Sequence, residues 1–126
     1  MSESATPSLD VWLAEAKREA AAKDVGMYLC HNGVVRSYSR DGRPVTGMDL
    51  SVDRERLEEL TATARLMEGV SIVRVWVNEG HLEVGDDIMY VMIGGDIRPN
   101  VIEALTAFVG MIKKEVVTET EYRPEA

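Results

Sequence analysis

Hydrophobic positions change period along this chain, and the changes mark its elements. At residues 73 to 77, Val73, Val75 and Val77 fall on one face and Arg74 and Trp76 on the other. That two-residue period predicts a strand with one buried side. Asn78 to Asp87 carries Gly80, Gly85 and the acidic pair Asp86 and Asp87, a composition that predicts a turn. Ile88 to Ile93 is an unbroken apolar run, short enough for a buried strand. Gly94, Gly95 and Asp96 stop it, and Pro99 suits a first helical position, where its missing N–H costs nothing. Val101, Ile102, Leu105, Phe108, Val109 and Ile112 then recur at helical spacing, which predicts a long helix against the sheet.

The flanking segments follow the same logic. Thr6-Pro7-Ser8 offers a capping hydroxyl and a first-turn proline. Leu9, Trp12, Leu13 and Ala16 share one face of a helix running to about Lys23, and Gly26 ends it. Met27 to Tyr38 reads as a strand with a bulge or bend at Asn32-Gly33. Arg40-Asp41-Gly42-Arg43-Pro44 predicts a hairpin connection, with Val45 to Val52 as the return strand. Asp53 can cap a helix whose stripe, Leu57, Leu60 and Ala64, is narrow enough to pack on one side only, before Gly69 stops it. Val116 to Tyr122 alternates and predicts a last edge strand. Residues 1–5 and 123–126 read as loose ends of a single domain spanning 1–126. Hairpins interspersed with helices predict an α+β fold with a mainly antiparallel sheet packed by helices.

Composition narrows the function classes. A formal net charge of −8 argues against a general nucleic-acid or anionic-membrane binder, both of which need a basic field. No apolar run approaches the roughly 20 residues needed to span a bilayer, and the N-terminus lacks a signal-peptide pattern. One cysteine, Cys30, excludes an internal disulfide framework. A cytoplasmic protein is the expectation.

Several residues can carry chemistry, each with a plainer alternative. Gly94 to Arg98 sits between a buried strand and a helix N-terminus, where free N–H groups and a close-approach glycine such as Gly95 favour an anion. Arg98 can add a bidentate guanidinium; the plainer account is a loop in which Asp96 caps the helix. Lys113 and Lys114 close the long helix, where the macrodipole favours cations. Their functional reading is a lysine beside apolar surface, made a usable acid, base or nucleophile by desolvation. Arg36 reads as a strand residue, with Arg40 and Arg43 in the hairpin. Cys30 and His31, neighbours on a strand, point to opposite faces and make no dyad. His81 with Glu79, Glu83, Asp86 and Asp87 lacks metal-site spacing and reads as an acidic turn, so neither a metal nor a cofactor is expected.

Taken together these pieces resemble the large, catalytic subunit of molybdopterin synthase from about Gly26 to Lys113. The resemblance rests on Gly26, Gly33-Val34-Val35-Arg36, Gly80-His81-Leu82-Glu83-Val84-Gly85-Asp86, Arg98, Glu103-Ala104 and Lys113 in that order and spacing. It implies an α/β-hammerhead-type fold and a sulfurtransferase of molybdenum cofactor biosynthesis. Sulfur would arrive as a thiocarboxylate on the C-terminal Gly-Gly tail of a small ubiquitin-like carrier subunit and pass to cyclic pyranopterin monophosphate. The resemblance further implies a large-subunit dimer with a small subunit at each end, a heterotetramer. Lys113 matches a lysine at the tail-insertion site, Arg36 and Arg98 match arginines that hold the substrate, and Lys114 and Gly95 are further substrate-binding candidates. The chain departs from the family pattern at Ile97, where histidine is usual, and at Thr120, about where a second lysine stands. Those departures leave open a degenerate member that binds or regulates without catalysis; an unrelated α+β interaction domain is a third reading. Fifteen helical steps of about 1.5 Å put Arg98 and Lys113 roughly 22 Å apart, too far for one small pterin. A homodimer is therefore expected, with Arg98 of one protomer completing a pocket near Lys113 and Arg36 of the other.

Overall fold

The computed structural model describes residues 6–124, so the expectation for residues 1–5, 125 and 126 lies outside the described residues. Its elements are α1 (Leu9–Ala16), β1 (Met27–Val34), β2 (Gly47–Val52), α2 (Arg54–Arg65), β3 (Val70–Val77), β4 (Gly80–Glu83), β5 (Asp87–Gly95), α3 (Arg98–Glu115) and β6 (Val117–Tyr122). Two antiparallel three-stranded sheets form, one ordered β1-β5-β3 and the other β4-β2-β6. The α+β expectation therefore holds, with the strands divided between two sheets.

The apolar run of β5 is buried because it is the central strand of its sheet, with α1 on one face and α3 on the other. Ala16 of α1 packs with Ile72 and Met92. On the opposite face Val101, Phe108 and Ile112 of α3 bury against Met89, Val91 and Ile93, joined by Leu57 and Leu60 of α2. Met48, Leu50, Leu82 and Val117 carry the second sheet into the same core. Seven of these apolar side chains, Phe108, Met89, Met92, Ile93, Ile112, Val91 and Val101, are among the largest that are fully buried. Each such burial contributes about 1.5–3 kcal/mol relative to exposure.

Local signals explain the element ends. Ser8 Oγ accepts from the Val11 N–H at 3.2 Å and starts α1. Asp53 Oδ1 accepts from the Arg56 N–H at 3.0 Å and starts α2, satisfying donors that a helix start leaves free. Gly69, at φ 79°, turns the chain from α2 into β3.

Four expectations are corrected. The first helix stops at Ala16, and Ala20–Asp24 is a separate 3-10 turn. The first strand stops at Val34, just past a register shift at Gly33, so Arg36 lies in the following connection. No β1–β2 hairpin forms among the described residues. The Val35 N–H instead donates to Asp86 O at 3.0 Å and Val35 O accepts from the Gly85 N–H at 2.9 Å, which turns the chain toward the second sheet. The Tyr38–Pro44 bridge closes the connecting loop. Finally, the acidic turn after β3 contains β4, which pairs with β2.

Arg123, expected in a loose tail, is anchored. Its guanidinium donates to Ser39 Oγ at 3.1 Å, to the carbonyls of Arg43 and Pro44, and to Glu121.

Candidate functional site

Because α3 runs back over the sheet from the Gly95 end of β5, its C-terminus arrives beside the start of that strand and the end of β1. A cavity of about 570 Å³ opens there. Arg36 and Tyr38 enter it from the loop after β1, Gly110, Lys113 and Lys114 from the last turns of α3, and Glu119 and Glu121 from β6. Val34, Met48 and Ile88 supply an apolar floor, and Arg40 sits at the rim toward an adjoining hollow lined by Arg43 and Arg123. Three of the five candidate site residues, Arg36, Lys113 and Lys114, thus meet, although they lie far apart in sequence.

Charge in the cavity runs against that of the chain. Four cations, Arg36, Arg40, Lys113 and Lys114, face two carboxylates, Glu119 and Glu121, a formal +2 in a protein of −8. Elsewhere five arginines, Arg43, Arg54, Arg56, Arg74 and Arg123, each pair with a carboxylate, whereas Arg18, Arg65 and Arg98 do not among the described residues. Arg36, Arg40 and Lys114 have no ion-pair partner among the described residues. Arg36 instead stacks its guanidinium 4.8 Å over the Tyr38 ring, which fixes the side chain without neutralising it. An anion is the ligand such a site attracts.

Lys113 is half exposed, and its Nζ lies 3.3 Å from Glu119 Oε2. It is thus a solvated charge with a counterion and not the desolvated amine its position allowed for. With the lysine half open to solvent and no aligned hydrogen bond between the two, the pair is worth about 1 kcal/mol, so an incoming anion can displace Glu119 at little cost. His31, on the face of β1 toward α3, also senses this end of the cavity. Its imidazole is pushed below the ordinary value by burial and then by the Lys113 charge. Cys30 next to it is exposed, consistent with the two side chains facing apart.

Arg98 and Gly95 are not brought to this cavity. Arg98 begins α3 at the opposite end of the helix. Gly95 is buried, and a Cβ there would stand 2.6 Å from Gly69 O and 2.7 Å from a Val101 methyl, so close packing accounts for the glycine. The helix N-terminus already holds a carboxylate: Asp96 Oδ1 accepts from the Ile97 N–H at 2.6 Å and from Asn100 Nδ2 at 3.0 Å. The Asn100 bond and then the backbone bond hold Asp96 below the usual carboxylate range. Its negative charge lies where the junction would bind an external anion.

Tyr38, Gly110, Glu119 and Glu121 were not anticipated in the site. The signal for the two glutamates was the alternation of β6. Glu119 lies opposite Leu50 and Glu121 opposite Met48, so both face inward with Val117, whereas Thr120 lies opposite Asp49 on the outer face. Among the described residues no group of three or more His, Cys, Asp or Glu side chains is placed to hold a metal ion. His81 is instead held between Asp49 and Glu83, at 2.8 and 3.0 Å. Among the described residues no helix is long and apolar enough to cross a membrane.

Comparison with known proteins adds family and fold. A family model described as MoaE protein matches residues 7–115. Molybdopterin synthase from Staphylococcus aureus superposes with a TM-score of 0.74 at 15% identity, covering 95% of this chain and 88% of that one. Molybdopterin cofactor biosynthesis protein E from Burkholderia multivorans gives 0.73 at 21%, covering 95% and 84%. A complex of subunits 1 and 2 of molybdopterin-converting factor from Helicobacter pylori gives 0.67 at 19%, covering 91% and 78%. No curated protein matches the chain by sequence.

Proposed function

Since the chain belongs to the MoaE protein family, whose place is in molybdenum cofactor biosynthesis, we propose that it is a molybdopterin-synthase-like sulfurtransferase. Its sulfur donor is a small ubiquitin-like carrier bearing a thiocarboxylate on a C-terminal Gly-Gly tail, and its acceptor is cyclic pyranopterin monophosphate. Each transfer moves one sulfur to the pterin and leaves the carrier as its carboxylate. The observation that carries this reading is the convergence of Arg36, Lys113 and Lys114 on one cavity in an otherwise acidic chain. Arg36 and Lys114 bind the phosphate, and Lys113, with its displaceable counterion, meets the anionic thiocarboxylate.

A two-subunit complex among the structural neighbours supports the small partner. Arg98 acts from a second copy: a homodimer places it at the other protomer's cavity, which its distance of roughly 22 Å from Lys113 denies it within one chain.

The test is sulfur transfer from a thiocarboxylated carrier to cyclic pyranopterin monophosphate. Lys113→Ala should lower the rate at least tenfold, and an unchanged rate would remove that lysine from the reaction. A monomeric mass in solution would remove Arg98. A second reading, a family member that binds the pterin without turnover, is favoured by Glu119 and Glu121 in the cavity and by Ile97 before Arg98. Tight binding of the precursor with no product would decide for it.

A further inference from the structure

Two carboxylates in an anion-attracting cavity need an explanation, and they are not equivalent. Glu121 Oε1 already accepts from Arg123 Nη2 at 3.0 Å. Glu119 Oε2 is shielded from solvent, yet no donor among the described residues is aligned on it. Lys113 Nζ, at 3.3 Å, gives charge compensation without the geometry of a hydrogen bond. A carboxylate oxygen left without an aligned donor is costly; Glu119 lines a cavity large enough for a small organic ligand, and turning Oε2 away from Lys113 would bring it to that space. As a mere obstacle Glu119 would weaken the anion site. As an acceptor it suits a ligand that is anionic at one end and rich in N–H donors at the other.

Resting on the phosphorylated-pterin reading above, we propose that Glu119 is a specificity-determining residue that reads the donor edge of the pterin ring. That edge presents a ring N–H and an adjacent exocyclic amino group, parallel and spaced like two arms of a guanidinium, a fit for the two oxygens of one carboxylate. Arg36 and Lys114 take the phosphate, and Glu119, opposite them on β6, takes the amino-pyrimidinone. The same contact releases Lys113 from its counterion at the moment the substrate is seated. The cavity thereby selects both ends of its ligand.

The test uses the full chain and three probes in titration calorimetry: 6-hydroxymethylpterin, its lumazine counterpart with oxygen replacing the exocyclic amine, and inorganic phosphate. The wild type should prefer the pterin over the lumazine by roughly tenfold, the value of a charge-assisted contact in a partly open site. Glu119→Gln should bring the two within about twofold while binding phosphate as well as the wild type or better. The proposal is overturned if the wild type shows no preference, or if the variant keeps it. It is also overturned if phosphate binding falls with pterin binding, as a role confined to positioning Lys113 would require. Phosphate binding and sulfur transfer without pterin preference would sink this inference alone. A wild type that bound neither pterin nor phosphate would take the proposed function with it. The ring-analogue comparison on unmodified protein stands even if the variant folds poorly.

Discussion

Replacing Gly110 by alanine should separate stability from binding. Gly110 lies in the last third of α3 and lines the cavity, and a Cβ built on it meets nothing within 4 Å. A glycine in a helix interior costs about 0.5–1 kcal/mol relative to alanine, because it loses more backbone freedom on folding. With no clash to offset that gain, Gly110→Ala should stabilise the fold by about 0.5–1 kcal/mol. At roughly 3–6 °C per kcal/mol for a chain of this size, Tm should rise by about 2–6 °C. The added methyl projects into the cavity beside Lys113, so affinity for the pterin probe should drop by about three- to tenfold. Thermal unfolding followed by circular dichroism, with calorimetric titration on the same sample, reads both. A lowered Tm would mean that the space over Gly110 is not open. A raised Tm with unchanged pterin affinity would mean that the ligand does not occupy this end of the cavity.

Gly95→Ala should do the reverse, since its Cβ would press on Gly69 O and Val101. A loss of about 2–3 kcal/mol and roughly 6–18 °C in Tm is expected, with phosphate affinity unchanged; a neutral Tm would return Gly95 to the ligand-contact reading. The outer face of the second sheet should show a pH-dependent staple. His81 is raised above its ordinary value by its bonds to Asp49 and then Glu83, and Asp49 is lowered by its bond to Tyr122 and then by His81. The His81 contribution is therefore complete below about pH 6.5 and fades as pH rises through the raised folded value, while that of Asp49 fades as pH falls through its lowered one. The Tm difference between wild type and His81→Gln should accordingly be largest in mildly acidic buffer and shrink toward alkaline pH; a difference independent of pH would count against the staple. Thr120→Lys should leave phosphate affinity within about twofold, because that side chain lies on the outer face, whereas Glu119→Lys should raise it about tenfold at low salt. The opposite order would reverse the facing of β6.

The parts of the fold legible in the sequence were those whose burial pattern is local. Leu57, Leu60 and Ala64 of α2, and Val101, Phe108 and Ile112 of α3, announce their helices and buried faces without reference to any other element. Strand pairing is not local. The alternation in β1 and β2 says which side chains share a face, but not that the backbone at Val35 bonds to Gly85 and Asp86. That pair of bonds sends the two strands to different sheets. β4 escaped notice because only Leu82 of its four residues is buried, too little to rise above an acidic turn.

The candidate site divides along the same line. Arg36 and Lys113 were legible from their place in a family pattern, and the fold joins them. Thr120 shows where such a pattern fails, because on a strand an offset of one residue exchanges the two faces. Aligning a missing lysine with Thr120 makes the change look like the loss of a cation. The pairing of β6 with β2 puts Asp49 and Thr120 outside and Leu50 with Glu119 inside, so what faces Lys113 is an acid. The loss of a charge and its reversal are different chemistries. A neutral replacement weakens an anion site and leaves its selectivity alone, whereas a carboxylate beside three unpaired cations sets a second requirement on the ligand. The question for this chain is therefore what donor Glu119 accepts, more than what substitutes for the absent lysine.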